Sequence, residues 1–297
     1  MLDLGRDDVE GILELSARIK STPGEYEGEL SGKTLAMVFE KPSTRTRVSF
    51  EVAMVELGGS ALVLNAADMQ LGRGESVADT ARTLGGYVDC IMARVSKHET
   101  LEDLKKHSGV PVINGLSDRE HPCQILSDLL TIKEVKGRLD GINLAYVGDG
   151  NNVCNSLLIG CALAGVNITV ASPNEFKPNR FFIDRARELA GTSRAVHVHE
   201  NPVSVVTDAD VVYADVWASM DGDSEVLDRK RTFTGYQVNS RLMKLARKDA
   251  IFMHCLPAHR GEEVTDEVID SPQSVVWQQA GNRLHVEKAV LLREMRG

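Results

Sequence analysis

Along most of the chain, short apolar runs of strand length alternate with stretches whose apolar residues recur at helical spacing. Asp7–Ile19 carries Val9, Ile12, Leu13, Leu15 and Ile19 in the helical pattern. Ser21–Ser31 then supplies Pro, Gly and polar residues, so a helix and a loop precede a first strand at Thr34–Phe39. Val48, Val52 and Val55 follow at the i, i+4, i+7 spacing expected of one buried helix face. A strand at Ala61–Leu64, a loop over Asn65–Glu75, a helix near Ser76–Leu84 and strands at Val88–Ala93 and Val110–Asn114 continue the series. A helix opening at Pro122 and running to Lys136 closes the first half, and Gly137–Gly141 ends it. The pattern then restarts with a strand at Ile142–Val147, a tight turn over Gly148–Asn152, a helix at Asn155–Leu163 and a strand at Ile168–Ala171. Arg180–Ala190 reads as a helix, and Ala195–His199, Val211–Tyr213 and Ala250–Met253 read as strands. A last helix is expected to begin at Arg283 and run through Ala289 to Met295, with Leu284, Val286, Val290 and Leu291 as apolar partners.

Strands alternating with helices imply parallel sheets with crossover helices, hence the α/β class. A length of 297 residues suits two domains, each a parallel β-sheet flanked by helices: residues 1–137 and 138–280, with the C-terminal helix 281–297 packing back on the first. In such sheets ligands bind beyond the C-terminal ends of the strands, so the residues that follow each strand carry the search for function.

Composition narrows that search. A hydrophobic fraction of 42% is globular, and a formal charge of −9 argues against nucleic acid or an anionic membrane as partner. An anion site would have to be a local concentration of arginines. No apolar run approaches the roughly 18 residues of a membrane span, and Met1–Lys20 is acidic and amphipathic without the order of a signal peptide, which suits a cytoplasmic protein. The 5 cysteines are odd in number and form no C-x-x-C pair, so they read as reduced thiols.

The densest chemistry follows the first strand. Ser43 is placed to cap the next helix, leaving the amides of Thr44, Arg45 and Thr46 as first-turn donors, with two hydroxyls and the guanidinium groups of Arg45 and Arg47 at the same end. The helix dipole and free N–H groups there favour phosphate or carboxylate. A capped surface helix with solvated arginines is the plainer alternative. Arg94 directly follows the strand Val88–Ala93, and the glycine-punctuated loop Gln70–Ser76 is mobile enough to approach a ligand, although Arg94 could equally be a surface arginine. His121 and Gln124 fall on one turn, side by side, and both can donate to a carbonyl oxygen; a simple helix cap would also explain the histidine.

In the second half, Gly148-Asp149-Gly150-Asn151-Asn152 has the look of a dinucleotide turn and supports a nicotinamide-dependent dehydrogenase as the competing reading. Val153 stands where a third glycine is required, and Ser172 and Pro173, not an acidic residue, follow Ile168–Ala171. Asp215 and Ser219 lie beyond a strand, where they could bind ligand, or Asp215 could cap a helix with Trp217 and Met220 in the core. His254, Cys255 and His259 suggest zinc, but no second cluster matches them and no metal is expected.

Five of these segments, in this order, resemble the aspartate and ornithine carbamoyltransferases, a likeness that spans nearly the whole chain. Ser43-Thr44-Arg45-Thr46 resembles that family's carbamoyl-phosphate loop. His121-Pro122-Cys123-Gln124, Asp215-x-x-x-Ser219-Met220 and His254-Cys255-Leu256-Pro257 resemble its ornithine branch, and Arg283 matches its last substrate contact. The resemblance implies an enzyme of arginine metabolism that transfers the carbamoyl group of carbamoyl phosphate to the δ-amine of L-ornithine, giving citrulline and phosphate without a cofactor. It implies that Ser43, Thr44, Arg45, Thr46, Gln70, Arg94, His121, Gln124, Cys255, Leu256 and Arg283 bind carbamoyl phosphate, and that Asn152, Asp215, Ser219 and Met220 bind ornithine. Arg94, His121, Gln124, Asp215 and Cys255 would act in catalysis, and a homotrimer or a multiple of it would be the assembly. Acetylated or succinylated ornithine, putrescine and aspartate are the competing acceptors, and a binding protein that has lost turnover is the non-enzyme alternative. Asp221 stands where the family usually has Gly, which bears on closure of the loop Asp221–Arg231.

Overall fold

The computed structural model describes residues 1–192, 194–217 and 229–296. The chain divides into two compact units: an N-terminal unit of Glu10–Leu126 with Asn282–Gly297, and a C-terminal unit of Ser127–Gly281 with Met1–Val9. Each is built on one parallel sheet flanked by helices, as the alternation of patterns implies.

After helix α1 (Arg6–Ser21), the N-terminal sheet has strands β1 (Thr34–Phe39), β2 (Ser60–Asn65), β3 (Cys90–Arg94) and β4 (Val112–Leu116), in the order β2-β1-β3-β4. Connections from β1 go to one side and from β3 to the other, so the strand order reverses between them, at the place where open α/β sheets bind ligands. Register pairs Phe39 with Arg94, so the loop leaving β1 and the end of β3 share that edge. Helix α2 (Thr44–Glu56) follows β1, and α3 (Val77–Gly85) and α4 (His98–Ser108) follow β2 and β3.

Three expectations are corrected here. Val48 and Val55 of α2 are 53% and 65% exposed; the buried stripe is Thr46, Phe50, Ala53 and Met54, with Leu57 beyond the helix. Valine spacing selected the wrong face because the true stripe opens on a threonine and continues through an aromatic residue and an alanine. Arg94 is the last residue of β3 and does not follow it. The C-terminal helix begins at Val276, not Arg283, because its buried Gln279, Asn282, Arg283 and Glu287 break the apolar pattern that would reveal its first turns. Helix α4 went unread for a similar reason, since Leu101 and Leu104 are its only buried apolar residues.

The end of the C-terminal helix belongs to the N-terminal unit. Lys288 pairs with Glu56, Arg296 reaches Glu29 at 2.7 Å and Lys20 donates to Asn282 at 2.7 Å. Helix α5 (Pro122–Lys136) begins in the N-terminal unit and continues into the C-terminal one, with Cys123 through Ile132 all buried.

The C-terminal sheet contains β5 (Asn143–Val147), β6 (Asn167–Ala171), β7 (Val196–His199), β8 (Val211–Ala214) and β9 (Ile251–His254), ordered β7-β6-β5-β8-β9. Helices α6 (Asn152–Ala164), α7 (Arg180–Ala190) and α8 (Pro202–Val206) connect the first four strands. The order reverses between β5 and β8. Register sets Val147, Ala214 and His254 in one row, so Gly148, Asp215 and Cys255 emerge side by side at the ligand-binding edge.

Candidate active site

In the N-terminal unit, α2 presents its first turn beyond β1. Ser43 occupies the N-cap position with extended backbone (φ −154°, ψ 117°), but its hydroxyl makes no capping bond, so the expected Ser43 cap is not formed. A hydroxyl not committed to its own helix can serve an external acceptor. Ser43 and Arg45 are half-buried, Thr44 is exposed and Thr46 is buried. Arg94 is half-buried at the end of β3, where its carbonyl accepts from Glu40 N at 3.0 Å.

His121 stands just before α5 and Gln124 in its first turn, both buried. Burial holds the His121 imidazole well below its ordinary range, and the positive charges of Arg283, Arg94 and Arg45 push it further the same way. His121 is therefore neutral at pH 7, with one N–H to donate. The three guanidinium groups named make this a cationic cluster within an acidic chain. Arg283 binds it together: Nη1 donates to Gln124 Oε1 at 2.8 Å and Nη2 to Thr46 Oγ1 at 3.2 Å. Thus Thr46, His121, Gln124 and Arg283, distant in sequence, meet in one cluster. Cys123, between two of them, is core: burial pushes its thiol up to about 12, and it donates to Asn114 O at 3.7 Å. Gln70 is exposed on a single 3-10 turn, Gln70–Arg73, beyond β2.

In the C-terminal unit, the row beyond the strands brings Asp215 and Cys255 together. Cys255 Sγ donates to Asp215 Oδ1 at 2.9 Å, and Asn151 Nδ2 donates to Asp215 Oδ2 at 2.6 Å. Asp215 is buried, and among the described residues it caps no helix. Asn151 also caps α6, accepting from Val153 N and Cys154 N at 3.0 and 3.1 Å. Asn152 is the first residue of that helix and half-buried, so α6 starts earlier than its apolar pattern indicates. Trp217 is in the core, stacked on Phe233 at 5.7 Å. Ser219, Met220 and Asp221 lie outside the described residues.

The Gly148–Asn151 turn is made by close backbone approach. A Cβ on Gly150 would lie 2.1 Å from Pro178 N. Asp149, next to it, is pushed up to about 6 by burial, against the pull of Arg229, with Asp215 raising it further. Arg229 Nη1 donates to Asp149 Oδ2 at 3.0 Å and to Trp217 O at 2.8 Å, with its guanidinium 4.6 Å from the centre of the Phe176 ring.

The loop after β9 is ordered by His254. Its Nδ1 accepts from Leu256 N at 2.9 Å, which leaves the hydrogen on Nε2, facing Glu263 Oε1 at 3.2 Å. Leu256 takes φ 58°, uncommon for a branched residue, ahead of a cis bond to Pro257. Both ring nitrogens of His254 are thus engaged in hydrogen bonds that order the loop.

Sequence reasoning passed over Asn151, Asp149, Arg229 and Glu287. Asn151 was open to recognition, because Asn is a strong N-cap before an apolar helix. Glu287 lies four residues past Arg283, the spacing of a helical ion pair, and accepts from Arg283 Nε at 2.9 Å. Nothing local to the sequence links Arg229 to Asp149.

Comparison with known proteins yields two family models. The carbamoyl-P binding domain of aspartate/ornithine carbamoyltransferases matches residues 1–134, and the Asp/Orn binding domain of the same family matches residues 140–293. An ornithine carbamoyltransferase of Pyrococcus horikoshii is 55% identical over 97% of this chain and 92% of its own length. One from Anoxybacillus flavithermus is 52% identical over 98% of this chain and 94% of its own. The solved ornithine carbamoyltransferase of Pyrococcus furiosus, 54% identical, superposes with a TM-score of 0.96, covering 99% of this chain and 95% of that one.

Proposed function

Because the chain belongs to the aspartate/ornithine carbamoyltransferase family, we propose that its two site clusters carry out the two halves of one carbamoyl transfer. The enzyme transfers the carbamoyl group of carbamoyl phosphate to the δ-amine of L-ornithine, giving L-citrulline and phosphate. Residues 1–137 with 281–297 are assigned to carbamoyl phosphate and 138–280 to ornithine. The observation that carries the site assignment is the buried, cationic cluster of Thr46, His121, Gln124 and Arg283 at the start of α2 and α5.

Ser43, Thr44, Arg45 and Thr46 receive the phosphate, whose charge suits the first-turn amides and guanidinium groups of a helix N-terminus. Arg94, neutral His121, Gln124 and Arg283 serve the carbamoyl oxygen, with Gln70 as a further contact. The neutral amine nitrogen attacks the carbonyl carbon, the oxygen gathers negative charge, and the bond from carbon to the phosphate oxygen then breaks as the nitrogen gives up a proton to the departing phosphate. Preorganised donors stabilise that charge, and holding two substrates in line can supply about 7–11 kcal/mol of the barrier. Asn152, Asp215, Ser219 and Met220 are assigned to ornithine, and Cys255 and Leu256 to the reacting carbamoyl end. His121, buried and neutral, favours hydrogen-bond donation over transfer of a full positive charge.

We place the enzyme in the cytoplasm as a homotrimer or a multiple of it. Five free cysteines suit a reducing compartment, and among the described residues no helix is long and apolar enough to cross a membrane. Sedimentation would test the assembly. Acceptor choice is tested by presenting ornithine, acetylated and succinylated ornithine, putrescine and aspartate side by side with carbamoyl phosphate and measuring each carbamoylated product. Ornithine is expected to give the highest kcat/KM, and faster turnover of any other acceptor would overturn the assignment.

A further inference from the structure

Glu287 is a fully buried carboxylate on the C-terminal helix, one turn past Arg283. We propose that Glu287 is a positioning residue which, acting through Arg283, fixes the direction in which Gln124 presents its amide. The proposal rests on the carbamoyl-transfer reading above, in which that amide donates to the carbamoyl oxygen.

The geometry is a chain of shared hydrogen bonds. Arg283 Nε and Nη2 both donate to Glu287 Oε1, at 2.9 and 2.5 Å. A guanidinium is planar and rigid, so anchoring that edge leaves Nη1 only one direction. Along it lies Gln124 Oε1, 2.8 Å away, while Nη2 also reaches Thr46 Oγ1 at 3.2 Å. An amide whose oxygen is held in this way carries its two N–H donors on the opposite branch. A Gln124 flipped by half a turn would instead present oxygen to the substrate's oxygen and repel it. Nothing in Gln124 itself prevents the flip, because its two branches have the same shape. Arg283 forbids it by offering only donors, and Glu287 keeps Arg283 in place.

Charge supports the same role. Arg283, Arg94 and Arg45 act together on His121, and Glu287 supplies opposite charge beneath the first of them. Burial pushes the Glu287 carboxyl up, and Arg283 opposes that shift. A buried guanidinium deprived of its partner would seek other acceptors, of which Gln124 Oε1 and Thr46 Oγ1 are at hand. Ser49 donates to the Arg45 carbonyl at 2.8 Å, within the first turns of α2.

The test uses the full chain with Glu287→Ala, Glu287→Met and Glu287→Gln. Methionine fills the volume without an acceptor, and glutamine keeps an oxygen for Nε and Nη2. We expect Ala and Met to lower kcat about 10- to 100-fold, short of losing a donor outright, with KM for ornithine within about 2-fold of native. Glu287→Gln should recover most of that kcat. In a Gln124→Ala background the Glu287→Met change should cost almost nothing further, since the residue it acts through is gone. A merely structural role would lower the thermal midpoint, leave kcat per folded site unaltered and make the two losses multiply. Native kcat in both the Ala and Met variants, multiplying losses, or failure of both to fold would overturn the proposal. A native protein that forms no citrulline would overturn the carbamoyl-transfer reading instead, so the two failures are told apart.

Discussion

The Cys255 thiol donates to Asp215 Oδ1 at 2.9 Å across neighbouring strand ends, and Asn151 Nδ2 holds the other carboxylate oxygen at 2.6 Å. The carboxylate is thus fixed on both sides before any substrate arrives. A preset acceptor of this kind orients a cation or amine at small entropic cost.

The δ-ammonium of ornithine resembles a lysine, with a reference pKa of about 10.4, and cannot attack while protonated. Productive binding therefore takes the minor neutral amine or expels a proton, and kcat/KM for ornithine should climb from pH 7 to 9. Asp215→Asn should lower that value on the order of 10²-fold across the range. Initial-rate profiles measure both, and a flat profile or an Asn variant with native ornithine kinetics would refute the placement of this proton.

Arg45→Ala removes a half-buried guanidinium from the first turn of α2. KM for carbamoyl phosphate should rise about 10- to 100-fold while stability changes by less than about 1 kcal/mol. Inorganic phosphate should inhibit the native enzyme competitively against carbamoyl phosphate and the variant far less. Unchanged carbamoyl-phosphate kinetics would dissociate this helix from the phosphate.

His121 is held well below the ordinary histidine range. Above pH 6.5 the imidazole is neutral both folded and unfolded. Below it the unfolded chain takes up a proton that the folded chain refuses, so stability falls with pH. The native protein should lose stability relative to His121→Gln by up to about 1.4 kcal/mol per pH unit below 6.5. Thermal midpoints of both proteins at pH 7.5 and 5.5 measure this, and parallel curves would contradict it. If His121 serves the oxyanion, kcat of His121→Ala at pH 7.5 should also fall about 10²–10³-fold.

Gly150→Ala would set a methyl group against the backbone of Lys177 and Pro178, the nearest atom 2.1 Å away. Backbone cannot step aside as a side chain can, so the turn must move and carry Asn151 with it. A loss of at least about 2 kcal/mol is expected, and KM for ornithine should rise because Asn151 holds Asp215. A thermal midpoint equal to native would show that the turn yields freely.

Residue order alone determined the alternation of strand and helix, and with it two parallel sheets, because burial of a strand and of one helix stripe writes itself into local apolar spacing. It also marked the strand ends after Phe39, Val147 and Tyr213 as the places to look, and Ser43–Thr46, His121–Gln124 and Asp215 as the residues to suspect. Where apolar residues do not carry the buried stripe, the spacing misleads. The α2 valines are exposed, and the polar first turns of the C-terminal helix passed unread. Only tertiary structure decided that Arg283 meets Gln124 and Thr46, that Cys255 meets Asp215, that His254 serves a scaffold and that Glu287 lies beneath Arg283. Strand register and helix packing set those pairings, and they join residues too far apart in sequence for any local period to record them.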